Sequence, residues 1–133
     1  MPYSFDVLIV GSGLAGLTTA LHLAGQRRVA IITKRALLDG ASDWAQGGIA
    51  AVLAPEDSIE AHVQDTLIAG AGLCDEPVTR HVVSHGREMI EWLLAQGVDF
   101  TRDAGHATGF HLTREGGHSQ RRVIHAADAT GHA

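Results

Sequence analysis

Apolar residues first gather along Phe5 to Val10, a short run rich in valine and isoleucine. So little polar alternation predicts a strand buried on both faces of a parallel sheet. From Leu14 the period changes. Leu14, Leu17, Leu21 and Ala24 recur at helical spacing, and Gly25 supplies a stop. Val29 to Thr33 then reads as a second buried strand. Strand, helix and strand within about thirty residues make a βαβ unit, whose crossover is right-handed in nearly all proteins.

Lys34 to Gly48 follows neither period, and its glycines and small polar residues predict an ordered loop. Ile49 to Leu53 is a short strand candidate. Asp57 and Glu60 stand at capping-box spacing ahead of a helix whose stripe is Ile59, Val63 and Leu67. A longer helix is predicted from Glu76 to Gln96, with Val78, Val82, Met89 and Leu93 on one face and Gly97 beyond its end. Gly86 in its middle costs about 1 kcal/mol relative to alanine. After Gly97 the pattern breaks into short β-like pieces, Gly109 to Leu112 and Arg122 to His125, and Ala127 to Gly131 reads as the start of another helix.

The first chemistry lies where the first strand turns into the first helix. Gly11-Ser12-Gly13-Leu14-Ala15-Gly16 has the spacing G-x-G-x-x-G. Gly11 permits the tight turn, Gly13 lets a pyrophosphate approach the backbone, and Gly16 allows helix and strand to pack closely. Free amides and the helix dipole stabilise phosphate charge there. With a strand before it, a helix after it and a second strand following, the motif predicts dinucleotide binding by Gly11 to Gly16. An acidic residue at the end of the second strand normally receives the ribose hydroxyls. Here Lys34 and Arg35 stand at that place, with Asp39 further on. The ribose contact falls to Lys34 or to backbone groups, and basic residues there also fit a phosphorylated ribose.

Composition narrows the partners. The chain of 133 residues is 45% hydrophobic and 19% charged, the make-up of about one globular domain. Ten Lys and Arg against fifteen Asp and Glu give a formal charge of −5, which supplies no general attraction for nucleic acid or an anionic membrane. Val7 to Gln26 carries no charged side chain, but Ser12, Thr18, Thr19 and His22 interrupt it and no basic segment precedes it, so neither a membrane span nor a secretory signal is predicted. Cys74 is the only cysteine and reads as a small packing residue, with a reducing compartment as the default. His81 and His85 share a helix face, but no cysteine or spaced carboxylate completes a metal site beside them.

Gly40-Ala41-Ser42-Asp43-Trp44-Ala45-Gln46-Gly47-Gly48-Ile49-Ala50-Ala51-Val52 resembles the glycine-rich flavin loop of the succinate dehydrogenase, fumarate reductase and L-aspartate oxidase superfamily. The resemblance implies FAD as cofactor, with Ser42, Gln46, Gly47 and Gly48 as flavin contacts and Ala41 and Ala45 lining the loop. Several members attach FAD through a histidine five residues before the position of Gln46. That position is Ala41 here, so the FAD is expected to be non-covalent.

The segment from His111 to Gly131, beginning His111-Leu112-Thr113-Arg114-Glu115-Gly116-Gly117-His118, is similar to the L-aspartate oxidase family within that superfamily. This resemblance implies oxidation of L-aspartate to iminoaspartate, with a hydride equivalent passing from the α-carbon to flavin N5. Oxygen or fumarate would be the electron acceptor, the reaction would be cytoplasmic, and the product would pass to a downstream enzyme of NAD biosynthesis. Glu115 would orient the substrate amine and assist its deprotonation, with His111 and Thr113 shaping the pocket. An ammonium group calls for a carboxylate partner, which simple dicarboxylates do not. On composition alone Glu115 also fits a surface ion pair with Arg114 or Arg121. His118, Arg121, Arg122 and His125 fit carboxylate pairing or packing. The fold expected is α/β, a Rossmann-like FAD-binding βαβ unit followed by helices and short β pieces. Residues 1–133 would form the amino-terminal part of one doubly wound domain, without the capping and carboxy-terminal helical domains and inactive alone.

Overall fold

The computed structural model describes residues 3–133. The domain expected over residues 1–133 thus includes two positions, Met1 and Pro2, outside the described residues. The chain divides into two units, one running through Ala45 and the other from Gln46 to Gly131.

The first unit is the predicted βαβ. Strand β1 (Val7–Val10) leads into helix α1 (Leu14–Ala24), and strand β2 (Val29–Ile32) follows. The strands are parallel, with Val7 opposite Val29 and Val10 opposite Ile32. Asp6 fixes that register from below, accepting the Arg28 amide at 2.8 Å and its guanidinium at 3.1 Å. The reading of β1 as buried on both faces is corrected. Val7 and Ile9 are half-buried, while Leu8 is 59% and Val10 80% exposed. Successive side chains of a strand point to opposite faces, and α1 covers only one of them.

The second unit holds the core. Strands β3 (Ile49–Ala50), β4 (Leu112–Thr113) and β5 (Val123–Ile124) form an antiparallel sheet in the order β3-β5-β4, with Ile124 opposite both Ile49 and Leu112. Helices α2 (Ile59–Ala69), α3 (Glu76–Ser84) and α4 (Gly86–Gln96) lie between β3 and β4 in sequence. Ile90 of α4 buries against Phe100, Leu112 and Ile124, together with Ala51, Leu53 and Ala126. Burial of side chains of this size contributes about 1.5–3 kcal/mol each for the larger ones.

Three local readings change. Helix α2 is capped by Ser58, whose hydroxyl accepts the Ala61 amide at 3.1 Å, and not by an Asp57 capping box. Both members of that expected box are engaged elsewhere: Asp57 with Arg122, and Glu60 with Arg80 at 2.7 Å. The long helix from Glu76 to Gln96 is two helices, broken at His85 (φ −93°, ψ 0°). Gly86 then backs onto Ala51, where an added Cβ would stand 3.4 Å from the Ala51 Cβ. The expected helix at Ala127 to Gly131 is a series of turns. Ala127 has φ +45°, which ends any right-handed helical path at its start. No helix among the described residues is long and apolar enough to cross a membrane.

Candidate functional site

In the first unit the glycine motif has the geometry its spacing predicts. Gly11 adopts φ +106°, a conformation open mainly to glycine, and its amide donates to Ile32 O at 2.9 Å. At Gly16 an added Cβ would lie 2.4 Å from Gly11 O and 3.3 Å from Ile9 Cγ2, so close packing of α1 on the turn requires glycine. A Cβ at Gly11 or Gly13 would meet nothing within 4 Å. Gly13 is the N-cap of α1, and neither a side-chain cap nor an acidic residue occupies the first turn. The amides there are left to face an incoming anion.

A cleft of about 470 Å³ opens beside this turn. Gly11, Ser12 and Gly13 line it together with Lys34, Ala41 and Ser42, so six of the residues expected at the cofactor meet in one place. Leu14, Ala15 and Gly16 belong to α1 itself, and Ala45 lies outside the cleft lining. Asp39 also faces the cleft and pairs with Arg35 at 3.6 Å. Lys34 and Asp39 thus line the same cleft. The uncapped turn, the open space at Gly13 and the cleft beside them fit the diphosphate end of a dinucleotide.

Gln46, Gly47 and Gly48 belong to the second unit. Gly47 is exposed, and a Cβ there would meet nothing within 4 Å. Gly48 differs. A Cβ on it would lie 2.3 Å from Ile124 O and 2.6 Å from Val123 Cγ1, so its smallness serves packing against β5.

The residues expected at the substrate lie on and beside β4. His111 and Thr113 are half-buried, and Glu115 is exposed in the loop between β4 and β5. Among the described residues Glu115 is in no ion pair with Arg114 or Arg121. The loop is clamped from behind by a network the sequence reading did not assemble. Arg122 is fully buried, and its guanidinium meets Asp57 through two bonds of 2.8 Å and Asp65 through one of 2.6 Å. The Ser119 amide and hydroxyl both donate to Asp65 at 2.7 Å. Burial opposes charge on Asp65, but Ser119 and Arg122 outweigh it and hold its pKa down at about 2. His62 packs edge-on to His118, ring centroids 5.6 Å apart. Burial, with repulsion from Arg122 and His118, pushes the His62 pKa below its ordinary value. Its Nδ1 has no hydrogen-bond partner among the described residues. The available signal was Asp57 just before α2 and Asp65 within it, eight positions apart, with Arg122 next to two apolar strand residues. His125, by contrast, meets His111, Nδ1 to Nε2 at 2.9 Å.

His81 and His85 stack with ring centroids 4.5 Å apart, and His85 Nδ1 donates to His81 O at 2.7 Å. Among the described residues no group of three His, Cys, Asp or Glu stands close enough to hold a metal ion. Cys74 packs beneath Gly70, its thiol directed at Thr66 O at 3.6 Å.

Comparison with known proteins places this geometry in a family. The profile described as FAD binding domain matches residues 6–133. L-aspartate oxidase 1 of Ralstonia nicotianae is 71% identical over 130 residues, covering 98% of this chain and 24% of its own length. L-aspartate oxidase of Pseudomonas aeruginosa is 56% identical over 136 residues, covering 98% and 25%. Among solved structures, a variant of E. coli quinol fumarate reductase FrdA superposes with a TM-score of 0.89 at 32% identity, over 98% of this chain and 22% of that one. The chain thus spans about a quarter of the length of the curated relatives it matches. It belongs to the FAD-binding domain family, and FAD is its cofactor.

Proposed function

We propose that the chain serves the FAD-dependent oxidation of L-aspartate to iminoaspartate. The observation that carries this reading is Glu115, a carboxylate exposed in the β4–β5 loop, free of any arginine partner among the described residues, within a segment shared with L-aspartate oxidases. A carboxylate held ready in this way suits the ammonium of an amino acid and disfavours a simple dicarboxylate.

In this reading Gly11, Ser12 and Gly13 receive the FAD diphosphate at the α1 N-terminus, and Lys34 meets the ribose. Ser42, Gln46, Gly47 and Gly48 contact the flavin, with Ala41 and Ala45 beside them. When bound, FAD would supply the redox chemistry as the acceptor of a hydride equivalent. Glu115 binds the substrate ammonium and fixes the α-carbon's orientation, while His111 and Thr113 bound the pocket. Alanine at position 41 offers no nucleophilic nitrogen, which makes the FAD non-covalent. Oxygen or fumarate accepts the electrons, the location is cytoplasmic, and iminoaspartate passes to NAD biosynthesis.

The test is turnover by a full-length, FAD-loaded version with L-aspartate and with succinate, followed by Glu115→Gln, since the 133 residues alone are expected to be inactive. Loss of a charged hydrogen bond costs about 1.5–3 kcal/mol, so kcat/KM for L-aspartate should fall roughly ten- to hundredfold. Kinetics toward fumarate as acceptor should change far less. Preference for succinate, or equal losses on both sides, overturns the assignment.

A further inference from the structure

His111 and His125 form a pair whose hydrogens can be placed from geometry. His125 Nδ1 lies 3.2 Å from Ala127 O. A carbonyl oxygen only accepts, so His125 Nδ1 carries the hydrogen, and in the neutral ring Nε2 is left with its lone pair. That Nε2 is 2.9 Å from His111 Nδ1. One hydrogen must lie between the two nitrogens, and it belongs to His111 Nδ1. With both rings neutral, His111 is therefore the Nδ1–H tautomer, and its own Nε2 is an acceptor. Among the described residues no protein group bonds to that Nε2.

The backbone on both sides of the pair is braced. Thr101 stands between the two segments. Its amide donates to His125 O at 2.9 Å, its carbonyl accepts the His111 amide at 3.0 Å, and its hydroxyl accepts the Ala127 amide at 3.1 Å. Ala127 is held at φ +45°, an unfavourable conformation for alanine, while its carbonyl serves His125. The rings meet edge to face, 5.2 Å between centroids, and both residues are half-buried.

We propose that His125 is a positioning residue, which holds His111 as the Nδ1–H tautomer so that His111 Nε2 accepts a hydrogen bond from the ammonium group of an amino-acid substrate. A hydrogen bond on one ring nitrogen sets what the other can do, as it does for metal-bound and catalytic imidazoles. An acceptor at His111 selects a donor in the ligand. An ammonium group supplies one, and a carboxylate does not. The inference rests on the L-aspartate reading above for the identity of that donor, and on the structure alone for the tautomer.

The two parts separate experimentally. Long-range proton–nitrogen correlation on FAD-loaded protein with 15N-labelled imidazoles should give His111 and His125 both protonated at Nδ1 and bare at Nε2. His125→Phe removes the acceptor and should move His111 to mainly Nε2–H. His125→Gln, whose amide oxygen can still accept from His111 Nδ1, should keep the original tautomer. In parallel, KM for L-aspartate should rise at least tenfold more in His125→Phe than in His125→Gln. An Nε2–H His111 in the unmutated protein overturns the proposal without any variant having to fold. Equal effects of Phe and Gln overturn the positioning role. A correct tautomer in a full-length version that does not oxidise L-aspartate overturns the ammonium partner and the substrate reading together.

Discussion

Gly16 and Gly48 are both glycines that a side chain would displace, yet only one of them could be explained from its neighbours in sequence. An alanine at Gly16 would drive its methyl to 2.4 Å from Gly11 O, a backbone atom that cannot move without opening the turn. Gly16→Ala is expected to weaken FAD binding and to cost about 1–3 kcal/mol of stability, in the range of overpacking substitutions. Flavin titration and thermal unfolding of the two proteins would check this, and unchanged affinity would show that the turn yields. The motif's spacing is mechanical and local, so Gly11 and Gly16 were legible with their separate reasons. Gly48 was expected at the flavin because of the loop around it, and its packing reason comes from Ile124 O, which only the folded sheet brings near. Glu115 was legible as a chemical group, and the histidine pair was not, because nothing in the spacing of His111 and His125 announces that Thr101 ties them together.

At the scale of elements, the helix start at Leu14 followed from apolar periodicity and the stops at Gly25 and Gly97 from glycine, whereas the break at His85 did not. The apolar stripe continues across it, and the close approach of Gly86 to Ala51 just beyond the break exists only in the folded unit. The clamp joining α2 to the β4–β5 loop makes its own prediction about acid. Asp65 has its pKa lowered from 3.8 to about 2, so its contribution to stability is complete above about pH 4 and is lost as pH falls toward 2. At about 1.4 kcal/mol per unit, the full loss is about 2 kcal/mol. His62 acts in the same direction earlier. Its folded pKa lies below 6.5, so the unfolded state gains protons first and stability begins to fall beneath that pH. Thermal melts should therefore decline gently below pH 6.5 and more steeply between 4 and 2. Asp65→Asn should flatten the steeper limb, and an identical slope in that variant would remove Asp65 as its cause.

For the whole molecule, an apolar run predicts a strand well and its burial poorly, since burial depends on what packs against it. Among the described residues β1 and β2 have α1 on one face, while Leu8, Val10 and Ile32 stand half-exposed or more. Both strands are sheet edges, and exposed apolar edges pair with other chains. The purified chain should self-associate as its concentration rises, seen by light scattering, and Leu8→Lys with Val10→Lys should reduce that association. A monodisperse monomer at high concentration would show these edges to be protected. The Arg122 clamp bears on how the second unit comes into being. Asp57 and Arg122 are 65 positions apart, so at a synthesis rate of about 5–20 residues per second the carboxylates of α2 wait about 3–13 s for their guanidinium. From Gln96 to the end of that interval the growing chain carries three helices with no sheet to close on them. Codon choice between these two positions therefore sets how long the half-built unit is open to chaperones and proteases.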